Sequence, residues 1–140
     1  MSTIPGDPCP EMDAFDANVL IYAAIGDRRG DRVAGMLAHP DSLERSVGST
    51  LLIPEVMSHP IRRNDLVERD ALEGLLGRIQ LRAVDIETAE LGAALRAKYG
   101  LHTADAIHLA TAVLWGAECF HTNNTKDFGQ HIDEIEIVFP

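Results

Sequence analysis

A chain of 140 residues, 46% of them apolar, has room for one domain and can bury a core without a disulfide framework. Its formal net charge of −10 excludes a nucleic-acid coat protein that works by blanket positive charge, and directs attention to cation binding or a basic partner. No run approaches the roughly 20 apolar residues of a membrane span.

Residues 1–11, with Asp7 and three prolines, are expected to be a flexible lead, a composition unlike a secretory signal. The domain is expected over residues 12–140. Residues 14–17 read as the end of a short strand and 19–25 as an apolar helix. A charged turn follows over 26–30, then a helix over 31–38 that Pro40 stops. A second strand is expected over 45–48. Ser49 or Thr50 then caps a helix with Pro54 in its first turn and Pro60 at its end.

Leu72, Leu75, Leu76 and Ile79 recur at helical spacing within 66–79, as core or as a dimer face. Residues 80–84 alternate as a strand. A helix over 87–98 closes at Gly100, and Thr103 caps another that runs to about Trp115. Residues 118–121 are strand-like, 125–130 form a turn or short helix, and 135–139 a last strand. Strands alternating with helices predict an α/β domain: a central, mostly parallel sheet of about five short strands flanked by helices. Cys9 and Cys119 form no CxxC pair and are expected as reduced thiols, which suits a cytoplasmic protein.

In a parallel α/β sheet, function gathers at the carboxyl ends of the strands. Asp16 leaves the first strand there, with Asn18 in the turn. Glu55 lies in the apolar stretch Leu-Leu-Ile-Pro-Glu-Val, Asp105 in the first turn after Thr103, and Asn124 and Asp127 after the fourth strand. Singly, each has a plain structural role as a turn residue, a helix cap or a first-turn carboxylate facing the helix dipole. Together they would repel by about 3–4 kcal/mol per pair at 4–5 Å and an effective dielectric near 20. Such a cluster needs a cation or a cationic partner. Magnesium accepts oxygen ligands of this kind, and metal-assisted phosphodiester hydrolysis uses them.

Three segments resemble a known family. Phe15-Asp16-Ala17-Asn18-Val19-Leu20-Ile21-Tyr22 is similar to the opening strand and turn of a PIN domain. The run from Gly100 to Ala112, through His102, Thr103 and Asp105, is similar to the part bearing that family's third acidic residue. Phe120-His121-Thr122-Asn123-Asn124-Thr125-Lys126-Asp127-Phe128 resembles its closing motif. The resemblance covers nearly all of residues 12–140, and the size is similar to the VapC-type toxins of toxin–antitoxin pairs.

The resemblance implies a metal-dependent endoribonuclease using Mg2+ or Mn2+. Asp16, Glu55 and Asp105 would hold the metal, and Asn18 and Thr122 would orient groups by hydrogen bonds. It also implies an RNA substrate, a basic antitoxin partner and a homodimer. The family usually has Asp two residues after Thr122, where this chain has Asn124; Asp127 is the candidate to compensate.

His108 stands three residues after Asp105, so the two share a helix face, and a buried, hydrogen-bonded histidine is the expectation there. Arg62 and Arg63 read as a solvated turn. A haloacid-dehalogenase-type phosphatase would need a second Asp where Asn18 stands. A response-regulator receiver would need an acidic pair at its first strand. A non-catalytic PIN-like binding module and a housekeeping RNA-processing nuclease remain as alternatives to the toxin, the former favoured by Asn124.

Overall fold

The computed structural model describes residues 12–140, so the expectations for the lead and for Cys9 lie outside the described residues. Among the described residues five short strands make the sheet: β1 Asp13–Phe15, β2 Ser46–Ser49, β3 Gln80–Arg82, β4 Cys119–His121 and β5 Glu136–Val138. They lie in the order β3-β2-β1-β4-β5, and every neighbouring pair is parallel. The sheet is therefore wholly rather than mostly parallel. Each strand sits within one or two residues of its expected place.

Parallel strands need helical crossovers, which cover both faces. Successive strand residues point to opposite faces, so Ala14 and Phe15 enter different cores. Ala14 joins Val47, Leu95, Leu109 and Phe120 beneath α6 Ile86–Tyr99 and α7 Thr103–Leu114. Phe15 joins Val19, Leu20, Val33, Leu52 and Leu72. Those side chains come from α1 Ala17–Ala24, α2 Asp31–Ala38, α4 Leu52–Arg63 and α5 Leu66–Leu76. The short α3, Ser42–Arg45, leads into β2. Leu72, Leu76 and Ile79 are buried here and Leu75 packs against them, so this row is core.

Several boundaries differ from the expectation for local reasons. Pro60 does not end α4. It removes one N–H from the helical ladder, yet it is buried with Val56 and Met57, and the helix continues to Arg63. The stop comes at Asn64, whose left-handed φ of 53° lets its N–H reach the carbonyls of Ile61 and Pro60. Helix α5 is capped by Asp65, whose side chain accepts from the Glu68 N–H, and ends at Leu76 rather than 79. Residues 125–130 form turns without a helix. Cys119 is buried and disulfide-bonded, which corrects the expectation of a reduced thiol there.

The turn after α1 depends on a glycine. A Cβ on Gly30 would fall 2.1 Å from the Ala23 nitrogen and 2.3 Å from the Tyr22 carbonyl carbon, both backbone atoms. Backbone cannot swing aside as a side chain can. Gly30→Ala is expected to destabilise the protein by about 3 kcal/mol, the upper range for overpacking, as read by urea unfolding.

The chain order decides where a site can form. After β1 the chain builds outward through β2 and β3, then crosses to the other side of β1 to lay down β4 and β5. The loops leaving β1 and β4 therefore diverge, opening a crevice at their carboxyl ends.

Candidate active site

Asp16 leaves β1 at that crevice and caps α1, its Oδ1 accepting the Ala17 N–H at 2.8 Å. Its own N–H donates to the His121 carbonyl at the end of β4. The other carboxylate oxygen, Oδ2, accepts the Thr122 hydroxyl at 2.8 Å and the Asn18 amide at 3.5 Å. Asn18 Oδ1 in turn accepts the Asn123 N–H at 3.1 Å. The turns after β1 and β4 are thus sewn together around one carboxylate that is 4% exposed. Burial pushes the Asp16 carboxyl above its ordinary value despite the hydrogen bonds from Thr122 and Ala17; the nearby Glu55 charge adds to the rise and His108 opposes it.

Asp105 lies in the first turn of α7. Its carboxyl is pushed up to about 6, first by burial, then by the charges of Asp16 and Asp127, against the pull of His102 and His108. Asp105, Asp127 and His102 offer ligand atoms that all lie within 4.8 Å of one another. Oxygen and imidazole donors of this kind, with two carboxyls held at an electrostatic cost, fit a hard or borderline divalent cation.

Asn124 and Asp127 form a reciprocal pair. The Asn124 amide donates to Asp127 Oδ2 at 3.0 Å, and Asn124 Oδ1 accepts the Asp127 N–H at 3.2 Å. Asn124 also donates its backbone N–H to the Thr122 hydroxyl at 3.0 Å. Asn124 therefore serves Asp127, and Asp127 faces Asp105. A carboxylate at 124 would confront Asp127 where an amide now donates. Asn124→Asp is expected to weaken Mg2+ binding by about 10-fold, comparable to losing a group that orients a metal ligand, with calorimetric titration as the measure.

Glu55 projects from the first turn of α4 onto His108 Nε2. His108 is buried, as its position on the Asp105 face of α7 suggested, and it ties α4 to α7. Its charge also acts on Asp16 and Asp105, so three carboxylates share one imidazole. Glu55 is close enough to raise Asp16 but stands outside the group formed by Asp105, Asp127 and His102.

Two features were missed from sequence. His102 occupies the N-cap position of α7 with no side-chain cap bond, while Thr103, the expected cap, is the first helical residue. The His-x-x-Asp spacing of 102 and 105 was the available signal. The second is a buried pair beneath Asp16: His121 Nε2 meets Asp13 Oδ1 at 2.8 Å, and the His121 ring stacks on Phe15 at 5.2 Å between centroids. These partners are 108 residues apart, and nothing local announces them.

The family model for the PIN domain matches residues 14–131. Among solved structures, a toxin–antitoxin complex from Klebsiella pneumoniae contains a chain 30% identical to this one, with a TM-score of 0.69. That match covers 89% of this chain and 99% of the other. VapBC2 from Rickettsia felis, bound to a DNA fragment from its promoter, aligns with a TM-score of 0.70 at 16% identity over 91% and 97% of the two chains. DNA-bound VapBC from Salmonella typhimurium aligns at 0.69 and 18% over 92% and 98%. The last two matches speak for the fold alone. No curated protein matches this chain. With the family model spanning most of its length and the Klebsiella chain sharing nearly all of its extent, this chain belongs to the PIN-domain family.

Proposed function

We propose that this chain is a divalent-cation-dependent endoribonuclease and the toxin of a toxin–antitoxin pair. The observation that carries the nuclease reading is the buried Asp16 set beside Asp105 at the switch point of the sheet, both carboxyls raised first by burial and, for Asp105, next by the Asp16 charge. The toxin reading is supported by the Klebsiella match, which comes from a toxin–antitoxin complex.

Asp105, Asp127 and His102 would hold Mg2+ or Mn2+, with Asp16 and Glu55 beside them. When bound, the cation supplies neutralisation of phosphate charge and activation of water for attack on phosphorus. Thr122 and Asn18 keep the Asp16 carboxylate in one orientation, and Asn124 does the same for Asp127. His108 holds Glu55 and offsets part of the mutual repulsion of the acids. The preformed hydrogen bonds spare the site reorganisation during reaction.

The partner we propose is a basic antitoxin, whose Arg side chains would pair bidentately with the acidic crevice. A homodimer is supported by Ile61, Leu66 and Val67, exposed together around the α4–α5 turn at 52%, 59% and 82%. Among the described residues no helix is long and apolar enough to cross a membrane.

Expression in a bacterial host tests the reading. Growth arrest that requires Asp16 and Asp105, accompanied by RNA cleavage that EDTA stops, is the expected result. Cleavage that persists in excess EDTA overturns the metal-dependent mechanism. Harmless expression of a protein that still cleaves RNA with Mg2+ shifts the role from toxin to RNA processing.

A further inference from the structure

Arg82 is a cation that the fold orients without neutralising. It ends β3 and stands opposite Ser49 in the ladder. The Arg82 guanidinium donates from Nη2 to Gln80 Oε1 at 2.8 Å, and Gln80 is itself fixed by donating to the Leu43 carbonyl. The guanidinium carbon lies 3.9 Å from the centroid of the Trp115 ring. Among the described residues no carboxylate comes within ion-pair distance of Arg82, in a chain with 22 acidic residues against 12 basic. Its Nε is buried without an acceptor.

Trp115 sits at the C-cap of α7, its N–H held by the carbonyls of Thr111 and Val113. It is 45% exposed although Arg82 covers one ring face, so the exposure falls on the opposite face and the ring edge. A rigidly mounted aromatic plane beside an unpaired guanidinium matches the two parts of an unpaired nucleotide, a base that stacks and a phosphate that needs a cation. Ten residues of α7 separate Trp115 from Asp105, about 15 Å of helix, which a few nucleotides can span.

We infer that Trp115 and Arg82 form a subsite for single-stranded RNA, a base stacking on the open face of Trp115 and its phosphate meeting Arg82. The inference rests on the ribonuclease reading and deepens it. A chain of net charge −10 then grips a polyanion through a single local cation rather than a broad basic surface.

Trp115 is the chain's one tryptophan, so its emission reports on this subsite directly. The probe is a fluorescein-labelled single-stranded oligoribonucleotide of mixed sequence, titrated with Mg2+ into full-length protein carrying Asp16→Asn to prevent cleavage. Tryptophan emission is expected to be quenched in step with the rise in fluorescein anisotropy. Adding Trp115→Ala should weaken binding about five-fold or more, and Trp115→Phe should retain most of it. Arg82→Gln should lower the slope of log affinity against log salt by about 0.7, the share of one phosphate on a single strand.

RNA that binds with unchanged emission, and equally well to Trp115→Ala and Arg82→Gln, overturns the subsite and leaves the ribonuclease reading standing. A protein that neither binds nor, with Asp16 intact, cleaves RNA overturns both. Blue-shifted emission that varies with protein concentration means a second copy covers Trp115, and overturns the subsite as well.

Discussion

Asp16→Asn is expected to reduce RNA cleavage by more than about 100-fold while leaving the cation-free protein at least as stable as wild type at pH 7. Removing groups that merely orient metal ligands costs about 10–100-fold, and Asp16 is a carboxylate of the site itself. The stability half follows from burial. The raised Asp16 carboxyl means that the fold disfavours its charge more than water does, even with Thr122, Asn18 and Ala17 donating to it. An amide keeps the size and the capping oxygen but carries no charge to desolvate. Thermal unfolding alongside cleavage of a labelled RNA measures both halves. Loss of activity with a large drop in melting temperature would make Asp16 structural, and undiminished cleavage would remove it from the chemistry.

Cation binding is expected to tighten steeply between about pH 5 and pH 7, by up to about ten-fold per pH unit for each proton displaced from the site. Asp105 is the group that sets the window. Its carboxyl is raised from 3.8 to about 6, by burial first and by the Asp16 and Asp127 charges second. Between those two values the folded protein holds a proton that the unfolded chain has released. The free energy of unfolding therefore falls as pH rises through this range. The contribution is whole below the unfolded value and gone above about 6.

Cation-free protein should thus lose stability from pH 4 toward pH 6 through this group, and Mg2+ or Mn2+ should restore it progressively as the carboxyls ionise. Calorimetric titration at several pH values, with melting curves at matched pH, checks the paired trends. Asp105→Asn should flatten both. Binding that is equally tight at pH 5 and pH 7 would mean Asp105 is not a ligand.

Much of this architecture is legible from local chemistry. Apolar runs bounded by Gly, Pro and capping residues marked the alternation of strands and helices, because turn and cap preferences act over a few residues. The helix expected over 31–38 is observed as Asp31–Ala38, closed by His39 and Pro40. Gly100 takes the left-handed φ of 69° that lets α6 stop where its sequence position indicated. Asp16, Glu55, Asp105 and Asp127 were legible as acids at strand exits or in first helical turns.

How those acids divide their roles was decided by contacts between distant segments. Asn124 looked like a defect in a ligand set until its side chain was seen bonded to Asp127, and Asp127 facing Asp105 depends on where the loop after β4 passes α7. His108 finds Glu55 only because α4 and α7 meet at the end of β2, and Asp13 finds His121 only because β1 and β4 are neighbours in register. Pro60, a helix stop by propensity, lies inside α4 because burial against the Phe15 core outweighs one missing hydrogen bond. The chain by itself determined which elements form and which acids stand at their ends, since period, capping and turn chemistry are properties of neighbouring residues. Strand order, burial and the pairing of charges were left to the tertiary structure, because each depends on which remote surface arrives and how much water it removes.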